Sequence, residues 1–501
     1  MKKTLSIIAC ALVIGFTACK EDFLNLDENP NVPSTATPQL LLSGALKITA
    51  DIVNTGTTAS QSAVSTYGIW MGYWTPSGSY VPNSTLNNNN FTNTHYQTFT
   101  PLYNNASNYQ NLINLGAADP TLVHFEAIGM IMKAFDFQAL VDTYNNVPYS
   151  DAFKATASLN PKYDKGEAIY DDLLIQLTEA IGKIKGAPAT AVNPGRADIM
   201  YKGNMDNWVK FANTLKLRIA LRQWNKLAGK QSALKTAIDA TAANGFIDET
   251  SAALANPGYI SDDANGGKQS PFWYSYGVNA AGALPTAGDY YKANAYAVTR
   301  LQTSNDPRLS RFYAPLPSDG TTFKGNIYGA TNTSSGANTS SIGPGLLKAP
   351  TMDAVIMSVA EGLFLQSEAV LNGLIAGDAK SLYERGITAS FVQTVVPNAA
   401  AAALTYYNQP IKNINWDASP DKLEAIINQK WTSLNGYGNM EAYNEYRRTG
   451  FPLDVPVSLQ SVKPVIPTRV FYPNTEYQQN AVNVTAEGTI DQFASKIFWA
   501  K

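Results

Sequence analysis

Cysteine is almost absent from this chain. Only Cys10 and Cys19 occur in its 501 residues, so the sequence beyond position 19 has neither a disulfide framework nor a thiolate metal site. Histidine is equally scarce. His95 and His124 are the only two, which argues against histidine-rich metal centres and leaves few partners for a Ser-His triad. Charged residues make up 15% of the chain and are balanced, with 37 Lys and Arg against 39 Asp and Glu. No positive surplus exists to attract phosphates, so a nucleic-acid partner is not expected. No segment beyond the first 18 residues offers the long apolar run that a membrane-spanning helix needs.

Catalytic signatures are missing as well. There is no G-x-S-x-G elbow and no H-E-x-x-H zinc motif, and Gly267-Lys268 is followed by Gln269 where a P-loop requires Ser or Thr. His124, beside Phe125 and Glu126, lies in an apolar helical stretch and reads as a packing or surface residue. Asp171-Asp172 reads as a solvated helix face. A glycosidase needs two carboxylates across a cleft, which sequence spacing does not show. No cofactor is implied, and the loop acids Asp262-Asp263 leave room only for a structural cation.

What is present begins at the N-terminus. Lys2 and Lys3 precede a short apolar run from Leu5 to Phe16, followed by Thr17-Ala18-Cys19. A run this short does not span a bilayer and reads as a signal peptide over residues 1–18. Small residues before a cysteine resemble the lipobox of bacterial lipoproteins, with Phe16 in place of the usual Leu, which makes Cys19 the expected lipidated residue. Lys20-Glu21-Asp22 looks like the signal that exports such lipoproteins to the cell surface, and residues 19–37, carrying Pro30 and Pro33, suit a tether.

The remainder, 38–501, reads as one large, mainly α-helical unit. Apolar residues spaced by threes and fours mark a helix after Pro38 and a long one opened by Asp119-Pro120, with Asp as cap and Pro in the first turn. Similar patterns run over 164–185, from 206, and over 352–373, 377–395, 419–434 and 438–449. The 360–369 and 379–387 stretches read as an antiparallel hairpin joined at Gly377-Asp378, with Ala369 and Gly386 permitting close approach. The hairpin resembles a tetratricopeptide pair, although no strict 34-residue period is present. Residues 66–118 and 244–350 are rich in Asn, Ser, Thr, Gly and Pro and read as long irregular loops, and 450–480 reads as extended.

The positive chemical signal is aromatic. The segment from Tyr67 to Tyr80 holds Trp70, Tyr73 and Trp74 among Gly and Pro, with Asn83 following; a second cluster contains Trp273, Tyr274 and Tyr276. Ring faces stack on the C–H faces of sugars while amides and hydroxyls bond the sugar hydroxyls, a pairing suited to a nearly neutral protein. Trp70 and Trp74 are also four apart, a core spacing on a helix, and Trp208, Trp224 and Trp431 read as core. The expected ligand residues are Trp70, Tyr73, Trp74, Tyr80, Asn83, Trp273, Tyr274 and Tyr276.

Several motifs together resemble the SusD/RagB family of outer-membrane lipoproteins, in particular its second SusD-like subgroup. They are Cys19-Lys20-Glu21-Asp22-Phe23-Leu24, Trp208-x-x-Phe211-Ala212-Asn213, Ile427-x-Gln429-Lys430-Trp431, Glu441-Ala442-Tyr443-x-Glu445-Tyr446-Arg447-Arg448-Thr449-Gly450 and Pro467-x-Arg469-x-x-Tyr472-Pro473. The resemblance implies a tetratricopeptide-like helical scaffold with long irregular insertions that carry the ligand site. It also implies non-catalytic capture of oligosaccharides at the cell surface and their delivery to a SusC-type TonB-dependent transporter. Arg447 and Arg448 are expected to form structural ion pairs. Two alternatives remain open here: peptide capture, as in the RagB branch, and a surface glycoside hydrolase.

Overall fold

A computed structural model describes residues 36–55, 62–95, 98–263 and 268–501. The signal-peptide and Cys19 assignments, and almost all of the tether, lie outside them. Twelve helices form the scaffold: α1 (Pro38–Asn54), α2 (Ala63–Trp70), α3 (Phe99–Ala118), α4 (Val123–Tyr144), α5 (Gly166–Lys185), α6 (Met205–Trp224), α7 (Gln231–Ala242), α8 (Val359–Leu371), α9 (Ala379–Gln393), α10 (Ala399–Tyr407), α11 (Lys422–Leu434) and α12 (Asn439–Thr449). Their starts follow local chemistry. Thr37, Ser62, Asn204, Ser358, Asp378 and Asp421 each cap a helix by accepting a backbone N–H from its first turn. Asp119 caps a 3-10 turn, Pro120–Leu122, which runs straight into α4.

Helices consecutive along the chain pack on one another. α3 lies against α4, α4 against α5, and α8 against α9. The α8–α9 hairpin depends on Gly386, where an added Cβ would come within 2.8 Å of the Phe364 ring. The core is continuous from Leu42 in α1 to Trp499, and a second apolar cluster fills the space among α8, α9, α10 and α11, centred on Phe364, Tyr383, Ile387 and Phe391.

Among the described residues, strands are few and short. β1 (Trp74–Pro76) pairs antiparallel with β5 (Tyr291–Ala293), β2 (Val147–Pro148) with β3 (Tyr163–Asp164), and β4 (Ala253–Ala255) with β6 (Ala354–Met357). The β1–β5 register sets Trp74 opposite Ala293 and Pro76 opposite Tyr291. This pair ties the two aromatic, loop-rich stretches to each other.

Three boundaries differ from the sequence reading. The 66–118 stretch contains all of α3, a 20-residue helix whose apolar face (Leu102, Ala106, Tyr109, Leu112) is interleaved with Asn residues that mask its period. The expected 352–373 helix begins at Val359, because the β-branched run before it is taken up by β6 against β4. The extended tail is interrupted by a short helix, Asn474–Gln479.

A buried ionic layer crosses the scaffold. Arg448 bridges Glu368 and Glu445, Lys430 also meets Glu445, Arg222 meets Asp142 and Glu441, and Arg218 meets Glu361. Arg448 therefore forms ion pairs as expected. Arg447 instead donates to the carbonyls of Asp142 and Thr468 and lies over the rings of Tyr443 and Trp499. Among the described residues, no helix is long and apolar enough to cross a membrane.

Candidate functional site

The structure divides the eight aromatic and amide candidates into two groups. Trp70, Tyr73, Trp74 and Tyr276 are core residues, each at 1% exposure or less. They cannot touch a ligand in this arrangement, which corrects the reading of them as contact residues. Trp70 lies at the end of α2, donates its indole N–H to Asn89, and packs on Phe91 and Tyr443. Tyr73 donates its hydroxyl to the Trp431 carbonyl at 2.5 Å, and burial raises its pKa well above the usual phenol range. Trp74 sits between Phe272, Tyr276 and Tyr291. The physical reason is shared: residues 67–80 and 271–277 carry only the short helices Ala63–Trp70 and Pro271–Tyr276, so aromatic area supplies their local core.

The other four remain at or near the surface. Tyr274 is 48% exposed and Trp273 is half-buried, on adjacent positions of the short helix Pro271–Tyr276. The opposite side of that helix, Phe272 and Tyr276, is locked under Trp74. Trp273 donates its indole N–H to the Val278 carbonyl at 3.2 Å. Gly277 lets the chain turn across its ring, since a Cβ there would come within 2.6 Å of it.

Tyr80 is half-buried, with its ring edge-on to Tyr290, 5.2 Å between centroids. Tyr290 in turn meets Tyr291 of β5. The helix carrying Trp273 packs on the Thr286–Tyr290 helix. The buried rings are therefore the base on which the outer ones stand. Asn83 serves the backbone, accepting the Leu86 N–H as cap of the Ser84–Asn88 helix.

Polar groups that the sequence reading missed adjoin Tyr80. Its hydroxyl donates to Asp289 at 2.8 Å, and burial followed by the Asp289 carboxylate raises its pKa. Lys292 lies 3.5 Å from Asp289 and donates to Ser341, and burial lowers its pKa. The two opposite charges neutralise one another. Gly336 N–H donates to the Ser79 hydroxyl, bringing the 331–340 loop to the same face. The only sequence signal for this group was the Asp289-Tyr290-Tyr291-Lys292 run, which reads equally well as ordinary core chemistry. Of the two loop acids, Asp262 pairs with Lys268, and Asp263 accepts the Ala280 N–H.

Residues 30–473 match the family described as SusD-like, starch-binding and associating with the outer membrane. The chain belongs to this SusD-like family. Solved structures carry the same fold. A chitin-binding protein is 24% identical with a TM-score of 0.72, the match covering 92% of this chain and all of that one. A chitin-binding SusD homolog from Flavobacterium johnsoniae is 23% identical with a TM-score of 0.73, covering 91% and 98%. A SusD-like protein from Bacteroides thetaiotaomicron is 21% identical, also at 0.73, covering 92% and 98%. No curated relative matches the chain. The helix pairs α3–α4 and α8–α9 are thus the scaffold of a SusD-like protein, and Tyr80, Trp273 and Tyr274 lie in its irregular elaboration.

Proposed function

We propose that this SusD-like chain is a non-catalytic oligosaccharide-binding lipoprotein, tethered to the outer face of the outer membrane through Cys19, that delivers glycan to a SusC-type TonB-dependent transporter. The observation that carries the reading is the two-sided helix Pro271–Tyr276. Tyr274 and part of Trp273 face solvent while Phe272 and Tyr276 are fixed in the core. Rings held this way are ordered before any ligand arrives, so binding costs little side-chain entropy. The self-neutralising Asp289–Lys292 pair favours an uncharged ligand. Relatives described as chitin-binding make chitooligosaccharides the first ligands to test.

Calorimetry on the intact protein with chitooligosaccharides, maltooligosaccharides and short peptides tests the proposal. Sugar binding that weakens in Trp273→Ala and Tyr274→Ala, with no loss of thermal stability and no released sugar products, is the expected result. Peptide binding without sugar binding, or turnover of the glycan, overturns it.

A further inference from the structure

An opening lies on the helical scaffold, and none of Tyr80, Asn83, Trp273 and Tyr274 lines it. A cleft of about 600 Å³ is formed where α3, α4 and α5 meet the turn 149–154. That volume is in the range that small ligands occupy. Its walls are largely polar, with amides from Gln110 and Asn114 on α3 and Gln176 on α5.

The turn is held rigidly. Asp164 in β3 accepts the backbone N–H groups of Tyr149 and Ser150 at 3.0 and 2.8 Å, and the Ser150 hydroxyl at 2.9 Å. Phe153, on the cleft wall, sits at φ +61°. The left-handed region is costly for a bulky aromatic residue. Its ring is braced by Phe137 and Tyr103, with centroids 6.1 and 6.2 Å away. Backbone strain is thus accepted here, and it places an aromatic ring beside polar groups.

Of the other charged lining groups, Lys154 is paired with Asp151, and Lys133 and Asp172 form a balanced pair. Lys133 of α4 donates to Gln110 at 2.7 Å, and the Tyr149 hydroxyl donates to Asp172 of α5. Lys133 also lies 5.9 Å from the centre of the Tyr149 ring. An ammonium has three donors and a carboxylate about four acceptor sites. Each group therefore keeps bonding capacity beyond these partners, while Asp164 is committed to the turn. Two lysines and two aspartates line the cleft; with Lys154 paired to Asp151 and Asp164 committed to the turn, Lys133, Asp172, three amides and the Phe153 ring remain to match adjacent sugar hydroxyls, which both donate and accept. A charged ligand would leave Lys133 or Asp172 facing its own sign.

We infer that this cleft is a second saccharide-binding site, built on the scaffold and separate from the loop rings. Titrations of chitotetraose, maltotetraose and cellotetraose into the intact protein test it, with stoichiometry read by calorimetry and the ligand located in soaked crystals. The wild type is expected to bind two sugars per chain. The double variant Trp273→Ala/Tyr274→Ala is expected to keep one of them. In that background, Asp172→Asn and Phe153→Gly should each weaken the remaining site about tenfold or more. Glycine tolerates the left-handed backbone, so Phe153→Gly removes the ring while Asp164 still holds the turn; some loss of stability from the lost ring packing is expected, and a single cooperative unfolding transition well above the titration temperature checks that both variants are folded. Loss of all sugar binding in the loop double variant overturns the cleft site and leaves the loop proposal standing. Binding that vanishes only in the cleft variants supports the cleft and overturns the loop assignment. No sugar at the cleft in any soak, or cleft variants that bind as before, overturns this inference.

Discussion

The rings of Trp74 and Tyr276 lie 5.3 Å apart, tilted by 58°, one from each of the two aromatic loop stretches. This contact joins segments that the sequence separates widely and turns both into interior structure. The Tyr276 hydroxyl makes no hydrogen bond among the described residues. Tyr276→Phe should therefore leave stability near wild type, whereas Trp74→Ala or Tyr276→Ala should cost about 3–5 kcal/mol. Denaturant titration of the three variants separates core rings from ligand rings. Tyr274→Ala, by contrast, should unfold at the wild-type midpoint.

Gly386 is irreplaceable for a steric reason. A methyl group there meets three carbons of the buried Phe364 ring at 2.8–3.0 Å. Gly386→Ala should destabilise the α8–α9 hairpin by about 1–3 kcal/mol, the usual cost of overpacking. Phe364→Leu in the same chain should recover part of that loss, and chemical denaturation of the single and double variants measures it.

Arg448 and Glu368 form a fully buried ion pair. Removing one partner strands a charge in the interior, so Arg448→Met should cost about 3–5 kcal/mol. Replacing both by apolar residues of similar size should cost much less. A double-mutant cycle read by equilibrium unfolding checks the difference.

Lys216 of α6 is buried, donates to Thr241, and has its pKa lowered from 10.5 to about 8 by burial. Between pH 8 and 10.5 the unfolded chain holds more of that proton than the folded one, so this group's contribution to stability rises with pH there. Below pH 8 the full burial penalty applies. Lys216→Met should accordingly be more stable than wild type at pH 7, by on the order of 2 kcal/mol, with the advantage shrinking toward pH 10. Unfolding both proteins across that range tests the sign, since the other titrating groups cancel in the comparison.

The scaffold was legible for concrete reasons. Asp119-Pro120 and the Gly377-Asp378 joint mark helix boundaries through backbone hydrogen bonds that need only neighbouring residues, whereas the Ser358 cap was missed and its helix expected from 352. Gly386 announced a close helix contact, and Phe364 fills it. The helix α3 was missed because Asn recurs along it, leaving its apolar stripe thin. For the site, four of the seven rings expected to meet a ligand, Trp70, Tyr73, Trp74 and Tyr276, are buried in the core. Trp74 and Tyr274 are both aromatic residues in polar, Gly-rich surroundings, and nothing local distinguishes them. The cleft at Lys133 and Asp172 was not legible because Lys133 lies in a helix buried nearly all round and Asp172 read as part of a solvated face, and nothing local brings the two together.

The sequence by itself determined the helical class, the cysteine-free body, the near-neutral charge and the SusD-like membership, since each is a property of composition or of residues close together along the chain. Only the tertiary structure decided which rings face solvent and which groups share a cleft. Burial depends on what packs across from a residue, and for Trp74 that is Tyr276, brought there by the β1–β5 pairing and the helix packed on it.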